Sequence, residues 1–133
     1  MRVLALDYGA ASCGCAVSDP TGVLATPIEP LARPASRRGL GRLRALIGEL
    51  GAERVVVGLP LSLSGADSAQ TEEVRAFAKM LAAALPIAVE LYDERLTTRL
   101  AQRSGGAGNE HSRAAAHLLE SWLAARDREP AHG

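Results

Sequence analysis

Val3-Leu4-Ala5-Leu6-Asp7-Tyr8-Gly9 is the stretch whose reading decides the fold. Four apolar residues run without a break into an acid, a tyrosine and a glycine. An unbroken apolar run of this length suits a strand buried on both faces. Such a strand has little room for a charge before the sheet ends, so Asp7 falls where the strand emerges, and Gly9 lets the backbone turn there. A second apolar run, Gly14-Cys15-Ala16-Val17, ends at Ser18-Asp19-Pro20. Joined by the small residues 10–12, the two runs read as a hairpin with Asp7 near its tip. Taken alone, Asp-x-Gly fits a capped turn as well as it fits a site.

Working outward, residues 22–28 read as a third strand, ended by Pro27 and Pro30 and suited by them to a sheet edge. Ser36 caps a helix whose Leu40, Leu43, Ile47 and Leu50 keep helical spacing, and Gly51 stops it. Val55-Val56-Val57-Gly58-Leu59-Pro60 is a fourth strand, with Gly58 and Pro60 taken as a close turn at its end. Asp67 opens a second helix with Gln70 in the capping-box position, and Val74, Phe77, Ala78, Leu81 and Leu85 form its inner face. Residues 87–92 are a fifth strand that runs directly into Asp93-Glu94-Arg95. Residues 103–109 hold three glycines and read as a loop. A last helix starts within residues 110–112 and ends near Arg126, with Ala115, Leu118, Leu119 and Trp122 facing inward. Residues 127–133 read as a disordered tail, leaving 1–126 as one domain.

The chain has 133 residues, of which 47% are apolar and only four are aromatic, so its core is built from aliphatic side chains. No apolar run reaches the roughly 20 residues that cross a bilayer, which points to a cytoplasmic protein without a membrane partner. Cys13 and Cys15 are expected on opposite faces of a strand, as small buried residues rather than a disulfide or metal clip. Net charge is zero, but fourteen of the fifteen basic residues are Arg. Five of those lie within residues 33–44, beside a single acid, Glu29. Arg37, Arg38 and Arg42, together with Arg95 and Arg99, are candidates to track a phosphate backbone.

Three strands, helix, strand, helix, strand, helix describes an α/β fold: a mixed sheet with three antiparallel strands followed by two parallel ones, and helices on both faces. Strands one, four and five run parallel through helical crossovers, so their C-terminal ends share one edge. Asp7 and Asp93-Glu94 then converge there. Crowded carboxylates repel, and a divalent cation resolves the repulsion; oxygen ligands suit Mg²⁺ or Mn²⁺. The bland alternative is that Asp93 and Glu94 are a solvated pair bonded to Arg95 or Arg99.

Several motifs occur in order: Asp7-Tyr8-Gly9, Gly14-Cys15-Ala16-Val17-Ser18-Asp19, Val57-Gly58-Leu59-Pro60-Leu61, Gly65, Asp93-Glu94-Arg95-Leu96-Thr97-Thr98 and Ala115-Ala116-His117-Leu118-Leu119-Glu120. Together they resemble the YqgF family, also called RuvX, over about residues 2–125. The resemblance implies an RNase H-like fold and a metal-dependent nuclease. The implied role is maturation of the small-subunit ribosomal RNA precursor, in a family related to Holliday-junction resolvases. It also implies that Asp7 and Glu94, with Asp93, ligate metal, and that the substrate is structured RNA or branched DNA. Two departures stand out. Ser12 occupies a position where the family has an arginine. His111 stands where it has an aspartate, and so takes the third catalytic and metal-ligating place on this reading. His111 precedes Ala115, Leu118, Leu119 and Trp122 by 4, 7, 8 and 11 residues, which puts it on the sheet-facing stripe. His117 points to solvent. Glu110 is the acid nearest to hand to make good the missing charge, and Thr97 or Thr98 would cap a helix after strand five. A catalytically weak nucleic-acid-binding or ribosome-assembly factor is the competing reading, and on either reading the protein is a monomer or a homodimer.

Overall fold

The computed structural model describes residues 1–61, 68–96 and 110–127. Within them, five strands and three α-helices follow in the order β1 (Val3–Asp7), β2 (Ser12–Ser18), β3 (Ala25–Ala32), α1 (Arg37–Leu50), β4 (Arg54–Leu59), α2 (Ala69–Ala84), β5 (Ala88–Asp93) and α3 (Glu110–Asp127). The sheet order is β3-β2-β1-β4-β5. β1 pairs antiparallel with β2, β2 antiparallel with β3, and β1–β4 and β4–β5 are parallel. This is the mixed sheet the sequence predicts.

Alternation along the strands divides the core into two layers. Leu4 and Leu6 on β1, Cys13 and Cys15 on β2, and Val55 and Val57 on β4 face α1 and α2. Val3 and Ala5, Ala16, and Val56 face α3 through Ala115, Ala116, Leu119, Trp122 and Leu123. Arg54 on β4 and Glu90 on the outer strand β5 lie on the α3 side, where Glu90 Oε1 accepts from Arg54 at 2.8 Å and its Oε2 accepts from Trp122 Nε1 at 2.9 Å.

The end signals of α1 lie where the sequence puts them. Ser36 Oγ accepts from Gly39 N at 3.0 Å, and Gly51 closes the helix at φ +66°, a left-handed conformation that glycine adopts without strain. Among the described residues, no helix is long and apolar enough to cross a membrane.

Several expectations need correction. Cys13 and Cys15 share one face, because residues two apart on a strand point the same way, and their buried thiols donate to backbone carbonyls, Cys13 to Gly14 and Cys15 to Cys13, each at 3.6 Å. β3 begins at Ala25 rather than residue 22 and continues through both prolines. As an outer strand it tolerates their missing N–H groups, and its register with β2 shifts between Cys13 and Cys15. Ser68, not Asp67, caps α2: its hydroxyl accepts from Thr71 N at 3.2 Å, which leaves Gln70 one position short of a capping box. Gly58 is no turn residue; it sits inside β4 opposite Tyr92. Gly65, Asp67, Thr97, Thr98, Arg99, the loop 103–109 and the tail from residue 128 lie outside the described residues.

Candidate active site

Asp7 ends β1, the central strand, and the parallel neighbours β4 and β5 end level with it. The alternation that puts Val3 and Ala5 toward α3 puts Asp7 there too. On β5, Glu90 and Tyr92 share that side, so the parity continues through the strand end to Glu94, which opens a 3₁₀ turn, Glu94–Leu96. Asp93 falls on the other side. Sequence distance thus hides a simple rule: one carboxylate of the Asp93-Glu94 pair reaches Asp7, and alternation selects which.

Glu94 and Asp7 are hydrogen-bonded through their side chains. Burial raises Asp7 above the ordinary aspartate range, opposed by the hydrogen bond from Glu94 and by the charge of His111. Glu94 is pushed up to about 7, first by burial and then by the charge and hydrogen bond of Asp7. Burial and mutual repulsion thus favour a proton on this pair up to about neutral pH. Asp93 is otherwise engaged. Its carboxylate accepts from Arg95 Nη2 at 2.6 Å and Nε at 2.9 Å, which holds it below the usual carboxylate range. It behaves as the solvated partner of Arg95.

His111 Nδ1 stands 3.7 Å from Asp7 Oδ2, with 62% of its side chain exposed. It is a rim residue and not part of the buried stripe. That stripe is broader on its other flank, including Ala116 and Leu123, and this turns its centre away from His111. The inward residue of the first turn is Ser112, fully buried, whose Oγ accepts from Cys15 N at 3.2 Å. Directly beside it, Gly14 has no side chain, and a Cβ there would come within 2.0 Å of the His111 carbonyl oxygen. Gly14 and Ser112 together seat the start of α3 on β2. Sequence reasoning missed both, although a small polar residue in phase with Ala115, Ala116, Leu119 and Leu123 signals such a seat. His117 is half-buried rather than solvated, with Nδ1 3.8 Å from Glu120 Oε2.

Arg37, Arg38 and Arg42 are exposed on α1. α1 follows β3, whose C-terminal residue Ala32 pairs with Ser12 at the start of β2, so the helix begins at the same edge as Asp7. Among the described residues, no group of three or more His, Cys, Asp or Glu side chains is placed to hold a metal ion. What the structure brings together is a carboxylate pair with an imidazole at its rim.

Fold and site define an RNase H-like domain with paired acids at the C-terminal edge of its parallel strands. The chain belongs to the RuvX family, described as Holliday junction resolvase, which it matches over residues 1–125. It is 45% identical to a protein of Koribacter versatilis (strain Ellin345) described as "Putative pre-16S rRNA nuclease", over 77% of this chain and 67% of that protein. A Mycobacterium tuberculosis (strain ATCC 25177 / H37Ra) protein of the same description is 42% identical, over 92% of this chain and 78% of its own. The fold is that of Thermus thermophilus RuvC, solved with Holliday junction substrate: the TM-score is 0.60 at 15% identity, covering 96% of this chain and 97% of that one.

Proposed function

We propose that the protein is a divalent-metal-dependent nuclease that hydrolyses phosphodiester bonds, with the precursor of 16S rRNA as substrate and the cytoplasm as its place of work. The observation that carries this reading is the hydrogen-bonded Asp7–Glu94 pair at the sheet edge. Two acids drawn together away from water either share a proton or bind a cation. Their oxygens fit a hard ion such as Mg²⁺ or Mn²⁺, and Gly58 beneath Glu94 leaves the space a side chain would fill. Asp7 and Glu94 would hold the ion, with His111 as an adjoining nitrogen donor. When bound, it supplies activation of water and neutralisation of charge at the phosphate.

The chain's own residues do the rest. Asp7 and Glu94 fix the position of the reacting group, and Glu94 gives up its proton close to neutral pH. His111, exposed beside Asp7, would give its one free lone pair to the ion rather than serve as a base. Asp93 keeps Arg95 at the strand end, and Arg37, Arg38 and Arg42 offer a basic flank for the backbone of the substrate.

The description of the relatives as pre-16S rRNA nucleases favours RNA. The family's description and the RuvC complex favour branched DNA as a second reading. Labelled precursor RNA and a four-way DNA junction, each incubated with Mg²⁺ or Mn²⁺, separate the two. Cleavage should fall by about 10²-fold or more in Asp7→Asn. Equal cleavage by wild type and Asp7→Asn would sink the proposal. Salt-sensitive binding without any cleavage would instead establish a binding factor, which His111 in place of an acid makes the natural third outcome.

A further inference from the structure

Gly58 has no conformational reason to be glycine. It lies inside β4, paired with Tyr92, and the positive-φ glycines among the described residues are Gly22 and Gly51. A glycine within a buried strand is otherwise a weakness, since it packs nothing and loses more chain entropy on folding. What it supplies is space. A Cβ at Gly58 would meet Glu94 Oε1 at 2.5 Å, Glu94 Cγ at 3.0 Å and Leu118 Cδ2 at 3.1 Å. The first of these is closer than two such atoms approach.

The sheet order explains why the space is needed there. β4 separates β5 from β1, so an acid arriving from the end of β5 must cross the width of a strand to reach Asp7. Neighbouring strands lie about 4.8 Å apart. Position 58 is on the α3 side of β4, level with that crossing, and any side chain on it stands in the path. We infer that Gly58 is a positioning residue: its bare Cα is the floor along which Glu94 reaches Asp7, with Leu118 as the opposite wall. This inference rests on the reading of Asp7 and Glu94 as the working pair.

Two measurements test it. The first is a thermal-stability cycle that needs neither metal nor activity. Gly58→Ala should lower Tm by about 3–10 °C in the wild-type chain, as overpacking does. In the Glu94→Ala background the same substitution should be neutral or raise Tm, because the carboxylate is gone and a strand alanine is better than glycine. Equal losses in the two backgrounds would assign the clash to Leu118 or the backbone and overturn the inference. The second is titration of the folded proteins with Mn²⁺ alone. Gly58→Ala should weaken binding about tenfold or more, whereas unchanged affinity would leave Gly58 merely structural and refute the positioning role. If wild type itself binds no Mn²⁺, the functional reading fails, and the stability cycle still decides whether Gly58 holds Glu94 in place.

Discussion

The carbonyl oxygen of His111 lies 2.0 Å from where a Cβ on Gly14 would begin, so helix α3 touches strand β2 backbone to backbone at the rim of the site. A methyl group there has no flexible neighbour to displace; it must push the helix itself. Gly14→Ala should therefore destabilise the fold by about 2–3 kcal/mol and carry His111 away from Asp7. Urea unfolding measures the first effect. A loss under about 0.5 kcal/mol would mean that α3 does not seat on Gly14.

Ser112 makes the other half of that seat. Removing its hydroxyl leaves the Cys15 N–H buried without an acceptor. Ser112→Ala should cost about 1–3 kcal/mol, and Ser112→Thr, which keeps the hydroxyl, should recover part of it if the extra methyl is accommodated. Thermal melts of the pair decide the matter: an unchanged melt for Ser112→Ala would show that water or a shifted strand serves Cys15 equally well.

Glu94 gives the metal-free protein a definite pH dependence. Its folded-state value of about 7 lies above the ordinary 4.5, so the folded chain binds this proton more tightly than the unfolded chain. The resulting stability is fully present below about 4.5 and is lost as pH rises through about 7. Melting curves across pH 4–8 in chelator should show this decline relative to Glu94→Gln, in which that contribution vanishes. A wild-type profile parallel to that of Glu94→Gln would contradict the shared proton.

On the proposed metal-dependent reading, His111 should influence the choice of ion. An imidazole beside the carboxylates adds no fixed negative charge, and it suits Mn²⁺ better than Mg²⁺. His111→Asp should tighten Mg²⁺ binding by about tenfold, while His111→Ala should weaken Mn²⁺ more than Mg²⁺. Calorimetric titration with each ion reads both effects. Identical affinities in all three proteins would make His111 a bystander.

The α1 arginines act, on this reading, through phosphate charge rather than through base contacts. Replacing Arg37, Arg38 and Arg42 together by alanine should flatten the plot of log binding constant against log salt by about 2–3. The loss should be similar for different RNA sequences. An unaltered salt slope would place the substrate on another face.

Most of the fold was legible because it is written in long-wavelength patterns. β1 and β4 announce themselves as unbroken apolar runs, and α1 carries its end signals at Ser36 and Gly51. What escaped was local. Strand alternation would have assigned Cys13 and Cys15 to one face, and the same parity carried along β5 would have chosen Glu94 over Asp93. The roles of Gly14 and Gly58 were not readable at all, since each glycine makes room for a group more than thirty residues away. No periodicity in one segment records the shape of another. His111 was found at the site but misplaced on its helix, because the buried stripe of α3 is centred on Ser112, Ala115 and Leu119 and the histidine stands on its shoulder.

Asp7, Glu94 and His111 enter the chain at its first strand, after its fifth, and in the last described helix. At ordinary translation speeds of about 5–20 residues per second, about 5–20 s separate the emergence of the first from that of the third. Until α3 arrives, Val3, Ala5, Ala16 and Val56 have no cover and Asp7 has no imidazole beside it. Completion of the sheet's second layer and assembly of the acidic edge are therefore one event. A nascent or truncated chain is without its site for the same reason that it is without half its core.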